Sequence, residues 1–244
     1  MKQSFFEIVS NSPLNKSIYK LVLSGDTSEI TASGQFVNIR LSGKYLRRPI
    51  SVCDYGDGSL TLIYKVVGSG TEQMSRMKAG EKLDLLTGLG NGYNLEKCGD
   101  NPLLIGGGVG VPPLYGLCRK LMAAGKKVSV VLGFNTKDEC FYADEFRALG
   151  ADVAVTTVDG TLGTKGYVTD ALPREYSYFY CCGPEPMLKA VFKATKTSGQ
   201  FSFEERMGCG FGAGMGCSCK TVTGFKRICK DGPVLEKEEI LWGD

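Results

Sequence analysis

The densest chemistry in this sequence lies in residues 205–220, ERMGCGFGAGMGCSCK, which hold three cysteines and five glycines. Cys209, Cys217 and Cys219 stand close together, and Cys229 follows. Thiolates at this density bind soft metals or iron–sulfur clusters, and glycines between them free the backbone to wrap a cluster with N–H groups directed at sulfur. Plant-type [2Fe–2S] proteins use C-x4-C-x2-C followed by a distant cysteine. Counted from Cys209, that spacing asks for cysteines at 214 and 217. Cys217 is present, Cys229 serves as the distant one, and position 214 is glycine. A zinc site is a second reading, although the C-x-C of Cys217 and Cys219 suits a zinc ribbon poorly. Free thiols are the third.

The 244 residues include ten cysteines and no histidine, so Ser-His-Asp and Cys-His catalysis and any His-ligated metal are excluded. The remaining candidates for chemistry are a cofactor, a carboxylate, a lysine or a thiolate. The first residues, MKQSFFEIVSNSPLNKSIYKLVLSG, lack an apolar core followed by a cleavage site, which together with the cysteine count leads us to expect a reducing, cytoplasmic compartment and no disulfide framework. Net charge is +3 with both signs interspersed, so neither a nucleic-acid partner nor a membrane is expected.

Two glycine loops suggest a nucleotide. LLIGGGVGVPP, residues 103–113, sets Gly106, Gly107, Gly108 and Gly110 between a buried strand and a helix that opens on Pro112 and Pro113. Glycine lets the backbone approach a ligand, and the N–H groups of the following helix favour a pyrophosphate. CCGPEPMLKAV, residues 181–191, is a second strand-to-helix loop, with Cys182 facing the ligand and Cys181 the opposite side. Taken alone, either loop also reads as a tight turn or as buried structural cysteines. RRPISV, residues 47–52, places a phosphate-forking arginine and a small hydroxyl on one β-segment, and VVGSGT, residues 66–71, adds a glycine turn.

These pieces require elements to hold them. Residues 1–98 alternate as short strands and read as an antiparallel β-barrel, with one helix over TEQMSRMKAG capped by Thr71 and ended by Gly80. Residues 99–198 alternate strand, glycine loop and helix, which argues a parallel-sheet nucleotide-binding α/β domain. Residues 199–244 form a small cysteine-rich C-terminal lobe ending in a hairpin-like GFKRICKDGPVLEKEEILW, whose EKEEI run reads as a solvated edge or turn. The fold class is thus multi-domain, β followed by α/β followed by an iron–sulfur lobe.

The order of motifs resembles one family. R-P-I-S, G-S-G-T, G-G-G-V-G-V-P-P, C-G-P-E-P-M and the cysteine loop follow one another as in the electron-transfer subunits of type B dihydroorotate dehydrogenases, within the ferredoxin reductase superfamily. GLGNGY, EERMGCGFGAG and CKDGPV are the most specific pieces, and the resemblance covers essentially the whole chain. It implies FAD in the barrel, NADH at the central domain and a [2Fe–2S] cluster in the lobe. Arg48, Pro49, Ile50 and Ser51 match the flavin motif, with Arg48 on the phosphates and Ser51 near the reactive flavin nitrogen. Ile63, Tyr64 and Lys65 match the strand beside the flavin, and Gly70 and Thr71 its pyrophosphate turn. Gly107, Gly108 and Gly110, with the Cys182–Gly183 loop, match the nicotinamide nucleotide site.

Cys209, Cys217 and Cys229 match three of the four cluster ligands, and Gly214 departs from the pattern. Three outcomes stand open: Cys219 substitutes, a non-protein ligand completes the site, or the cluster is lost. The partner implied is the FMN-containing dihydroorotate dehydrogenase catalytic subunit, in pyrimidine biosynthesis. The alternative is a related ferredoxin-NAD(P) reductase or hydrogenase-associated subunit with another acceptor. GFNTKDE, residues 133–139, carries no arginine for a 2′-phosphate, which favours NADH over NADPH.

Overall fold

The computed structural model describes residues 1–242. Its first six strands are β1 (Lys2–Pro13), β2 (Ile18–Ser24), β3 (Phe36–Arg40), β4 (Arg48–Gly56), β5 (Ser59–Lys65) and β6 (Lys82–Leu89). They close into an antiparallel barrel in the order β1-β2-β5-β4-β3-β6. Side chains two apart on a strand share a face, and five strands each turn such a pair inward: Phe6 and Ile8, Leu21 and Leu23, Val37 and Ile39, Leu60 and Leu62, Leu83 and Leu85. Burying each of these side chains is worth about 1.5–3 kcal/mol, so the barrel core defines the register of these five strands.

The helix after β5 corrects one expectation. α1 (Ser69–Ser75) starts earlier and ends sooner than the sequence suggests. Thr71 is the third helical residue rather than the cap. Its Oγ1 reaches back to accept from the backbone N–H of Val67 (2.9 Å) and Gly68 (3.3 Å), so it still holds the glycine turn in shape.

The central sheet follows. Its strands are β7 (Pro102–Gly107), β8 (Ser129–Phe134), β9 (Asp152–Thr157), β10 (Thr164–Lys165), β11 (Tyr178–Cys182), β12 (Gly199–Ser202) and, from the end of the chain, β15 (Val234–Glu236). The order is β10-β9-β8-β7-β11-β12-β15, parallel except for β15 at the edge. β7 and β11 are buried along their whole length, as strands covered on both faces must be. Helices α2 (Pro112–Ala123), α3 (Ala143–Ala148) and α4 (Glu185–Ala194) connect them. α2 also ties the sheet to the barrel. A Cβ on Gly116 would stand 2.8 Å from the Cys53 carbonyl oxygen, and Arg119 bridges Asp54 at 2.6 Å.

The end of the chain is wired differently from its sequence-based reading. Gly199–Ser202, read as the start of the lobe, continues the central sheet beside β11. The hairpin forms between β13 (Ser218–Thr221) and β14 (Gly224–Arg227), and the strand after Pro233 pairs with β12 instead. Glu236, in the supposed solvated run, accepts from Tyr178 (2.7 Å), Gln200 (2.8 Å) and Lys97 (3.0 Å). GLGNGY and CKDGPV meet here. Asn91 donates its backbone N–H to Gly232 and its side chain to the Val234 carbonyl at 2.7 Å, and its Oδ1 accepts from the Val234 N–H at 3.1 Å.

Candidate functional site

The barrel shelf is built by β4 and the turn before α1. Of the two arginines in RRPISV, Arg47 is committed. Its guanidinium forks onto the Asp84 carboxylate at 3.0 and 3.2 Å and reaches the Asn38 carbonyl at 3.2 Å. Arg48 donates to the Leu46 carbonyl and lies across Gly70, where a Cβ would stand 2.3 Å from Nε. Gly70 therefore clears the space that brings Arg48 to the turn. Pro49, Ile50 and Ser51 are half-buried along the strand, flanked by the exposed Tyr45, Leu46 and Val67. A guanidinium over a glycine turn, next to an open apolar shelf, fits the pyrophosphate and ring of FAD. On β5 the alternation splits the residues read as the flavin strand. Ile63 and Lys65 turn toward the central domain. Tyr64 turns into the barrel, donates to Asn11 at 3.1 Å and stacks on Tyr19. Tyr64 thus backs the site rather than lining it.

A cavity of about 520 Å³ opens at the ends of the central strands. Gly107, Gly108 and Val109 line one wall, Pro184, Pro186 and Met187 another, and Lys65 of the barrel reaches its rim. The two glycine loops interlock beneath it. A Cβ on Gly110 would stand 2.3 Å from the Cys182 carbonyl oxygen, one on Gly107 2.4 Å from the Met187 sulfur, and one on Gly183 3.2 Å from the Gly107 nitrogen. Gly108 differs, since it has φ +51° with open space around it, so it is conformation rather than crowding that asks for glycine there. Gly133, Phe134 and Asn135, which open the GFNTKDE stretch read for the 2′ position, also line the cavity, as does Tyr167, which the sequence reading left unassigned. The strand ends of β8 and β9 were the available signal.

Cys182 is placed otherwise than expected. The alternation holds, with Cys181 packed on the opposite face, but Cys182 is only 2% exposed and sits behind the loop. Burial, and next the nearby Glu204 carboxylate, push its thiol up to about 12, against weaker hydrogen bonding with Ser202 and Tyr93. It is a neutral thiol at physiological pH and supports the cavity from beneath.

In the lobe, the Cys217 thiol donates to the Cys229 sulfur at 3.3 Å, well beyond disulfide length. Cys209 lies in the glycine loop. Partial burial pushes its thiol up, but the backbone N–H groups of Phe211, Gly214, Ala213 and Gly212 outweigh it and bring it down to about 6. A thiolate cradled by four amides is the electronic environment a cluster sulfur ligand needs. Cys219 is half-buried in β13, opposite Lys226 of β14, and burial, then Glu205, push its thiol up. Gly214 has no left-handed φ, and a Cβ there would meet nothing within 4 Å. Among the described residues no three metal-ligating side chains already converge on one point. The donor set fits a cluster through one close cysteine pair and one activated thiolate, with nothing from the chain at position 214.

Asn38 joins these sites and was not found from sequence. It lies on β3 opposite Pro49 of β4, is 1% exposed, and donates from Nδ2 to the Cys209 carbonyl at 3.1 Å. A Cβ on Gly210 would stand 2.3 Å from that Nδ2, so the loop presses against it. A lone amide in the apolar strand FVNIR was the available clue.

The comparisons with known proteins agree with this arrangement. Residues 204–241 match the iron-sulfur cluster binding domain of dihydroorotate dehydrogenase B, and residues 104–193 an oxidoreductase NAD-binding domain. The dihydroorotate dehydrogenase B (NAD(+)) electron transfer subunit of Geobacillus sp. (strain WCH70) is 43% identical, with 99% of each chain covered. The Fusobacterium nucleatum protein of the same name is 41% identical over 98% of this chain and 99% of its own. A structure of an NADH-dependent reduced ferredoxin-NADP oxidoreductase superposes with TM-score 0.89 and 33% identity, covering 98% of this chain and 90% of that one. A ferredoxin NADP+ reductase from Neisseria gonorrhoeae with bound FAD and NADP, at 16% identity and TM-score 0.69, over 80% of this chain and 90% of its own, shares the fold. With relatives this similar along nearly its whole length, the chain belongs to the family of dihydroorotate dehydrogenase B electron transfer subunits.

Proposed function

We propose that this chain takes electrons from NADH and delivers them, through FAD and a [2Fe–2S] cluster, to an FMN-containing dihydroorotate dehydrogenase catalytic subunit held in a hetero-oligomer. The observation that carries the reading is a continuous path of contacts. Lys65 borders the nucleotide cavity at the end of β5, β5 pairs with β4, and Asn38, opposite Pro49 of β4, holds the Cys209 carbonyl. The bound groups supply two-electron exchange with NADH at FAD and one-electron relay at the cluster.

The residues provide binding and placement. Arg48 holds the FAD pyrophosphate over Gly70, and Ser51 offers a small hydroxyl beside the ring. Gly107, Gly108, Gly110 and Gly183 let the dinucleotide approach the backbone. Cys209, Cys217 and Cys229 supply thiolates to the cluster. Around the loop, Phe211 and Met215 are exposed apolar side chains, and they support docking of the catalytic subunit over the cluster.

No helix among the described residues is long and apolar enough to cross a membrane, and the cysteine content supports a reducing cytoplasm. The lack of an arginine near Asn135 supports NADH as the donor.

Co-expression with the catalytic subunit tests this reading. The pair is expected to co-purify, to carry both flavins, and to reduce NAD+ with dihydroorotate. Failure of NADH to bleach the FAD band of the purified chain overturns it. A second reading, transfer to a ferredoxin-type acceptor, draws support from the 33% identity to the ferredoxin-NADP oxidoreductase chain. It predicts NADH-dependent reduction of ferredoxin and none of the catalytic subunit's FMN.

A further inference from the structure

We propose that the cluster-binding loop leaves one iron with an open coordination position at Gly214, and that a small thiolate from solution occupies it. The inference rests on the cluster assignment above and deepens it. Two thiolates on one tetrahedral metal at about 2.3 Å per bond stand about 3.8 Å apart. Cys217 and Cys229, at 3.3 Å, already stand near that separation, so they form the pair for one iron. Cys209 then serves the other iron, alone. The spacing rule places its companion at 214. Gly214 brings no donor, and the space a side chain would take there is empty to 4 Å and lies at a half-exposed to exposed loop surface.

Two features argue that the position stays open. First, the backbone does not need glycine: its φ is outside the left-handed region, so the loop keeps the shape a cysteine would accept. Second, Cys219 is held elsewhere. It lies two residues beyond Cys217, roughly 7 Å along an extended strand, in a hairpin whose four facing pairs run from Ser218 and Arg227 to Thr221 and Gly224. Thr221 is tied further to Gly224 at 2.8 Å and bridges Ile240. Drawing Cys219 back to the 214 side breaks that pairing. A monodentate thiolate matches the other three donors in softness. Its binding replaces a water on iron and releases the thiol proton to solvent, with no change of oxidation state.

The test uses the full chain, reconstituted anaerobically with iron and sulfide, in wild-type, Gly214→Cys, Gly214→Ser and Cys219→Ser forms. FAD absorbance serves as the folding control. The readouts are iron and sulfide per chain and the EPR spectrum of the reduced cluster during titration with 2-mercaptoethanol. The wild type is expected to hold the cluster and to show a saturable shift of its EPR signal. Gly214→Cys abolishes the shift at equal or higher metal content, Gly214→Ser keeps a shift, and Cys219→Ser matches the wild type. A wild-type spectrum indifferent to thiol overturns the proposal, as does loss of the titration in Cys219→Ser, which makes Cys219 the fourth ligand. Metal in Gly214→Cys alone also overturns it while sparing the family's cluster assignment. Absence of metal from every form overturns the cluster assignment itself, and the proposal with it.

Discussion

Asn38 and Cys209 lie 171 residues apart in sequence, yet the amide of one donates to the carbonyl of the other at 3.1 Å. This bond joins the barrel strand beside R-P-I-S to the loop that presents a cluster ligand. The barrel and lobe are therefore not independent modules, and the distance between flavin shelf and cluster loop is set by side-chain contact rather than by a linker.

Flavin retention depends on a pair of residues. Arg48→Ala removes a charge-assisted phosphate contact worth about 1.5–3 kcal/mol, or roughly tenfold to 150-fold in FAD affinity. Gly70→Ala puts a Cβ where the Arg48 guanidinium lies, 2.3 Å from Nε, and lowers affinity by displacing that arginine. Because both act through one contact, the double variant is expected to lose little more than Arg48→Ala alone. Flavin released on gel filtration, followed by fluorescence, gives the three values. Strict additivity would show that Gly70 does not act through Arg48.

The glycines of the nucleotide loop fail in different ways. Gly110→Ala drives a Cβ into the Cys182 carbonyl, a backbone group that is slow to yield, so overpacking of about 1–3 kcal/mol is expected as a lowered Tm. Gly108→Ala meets no atom, and its cost is the left-handed φ of +51°, on the order of 1 kcal/mol. Gly108→Val adds bulk facing the cavity and is expected to raise KM for NADH while FAD stays bound. Equal Tm losses for Gly110→Ala and Gly108→Ala would refute the distinction.

Much of this was legible in sequence where neighbours decide the outcome. The short alternating strands of the barrel and the strand–glycine–helix texture of GGGVGVPP depend on residues a few positions apart. The failures have the opposite character. Thr71 has the type of an N-cap, but its hydroxyl caps backward from the third helical position, a choice made by the fold of Val67 and Gly68. The C-terminal strand pairs with β12 because Asn91 clamps residues 232–234. Nothing local to Asp231, Gly232 and Pro233 reveals that. Cys182 was placed at the ligand by alternation alone, which gives the face but not the depth.

The ten cysteines are expected to separate by reactivity in the cluster-free chain. Cys209 has its pKa brought down to about 6, so its thiolate forms as pH rises through about 6 and dominates at pH 7. Cys53, Cys118 and Cys182 are buried, with thiols pushed up to about 12, and stay protonated there. Iodoacetamide at pH 7, read by peptide mass spectrometry, should label Cys209 first, with its rate falling below pH 6. Since the folded pKa is depressed, the thiolate stabilises the folded state fully above the ordinary thiol range, and this contribution is lost as pH falls through 6. Labelling of Cys209 that half-saturates near pH 9 would show that the amide cradle is not formed.

Asn38 itself provides the test of the link between barrel and lobe. Asn38→Ala removes the donor to Cys209 and opens a small void, a loss of about 1–2 kcal/mol. Asn38→Asp keeps the shape but sets a carboxylate against the carbonyl, so it should not rescue. A purely structural role in the barrel would lower Tm and leave the loop as protected as before. The contact predicts more, namely faster hydrogen exchange at residues 208–213, with Arg48-dependent flavin retention unchanged. It also predicts slower reduction of the cluster by NADH once the loop is loosened, because electron transfer falls steeply with distance. Exchange in the loop equal to wild type in both variants would show that Asn38 serves the barrel alone.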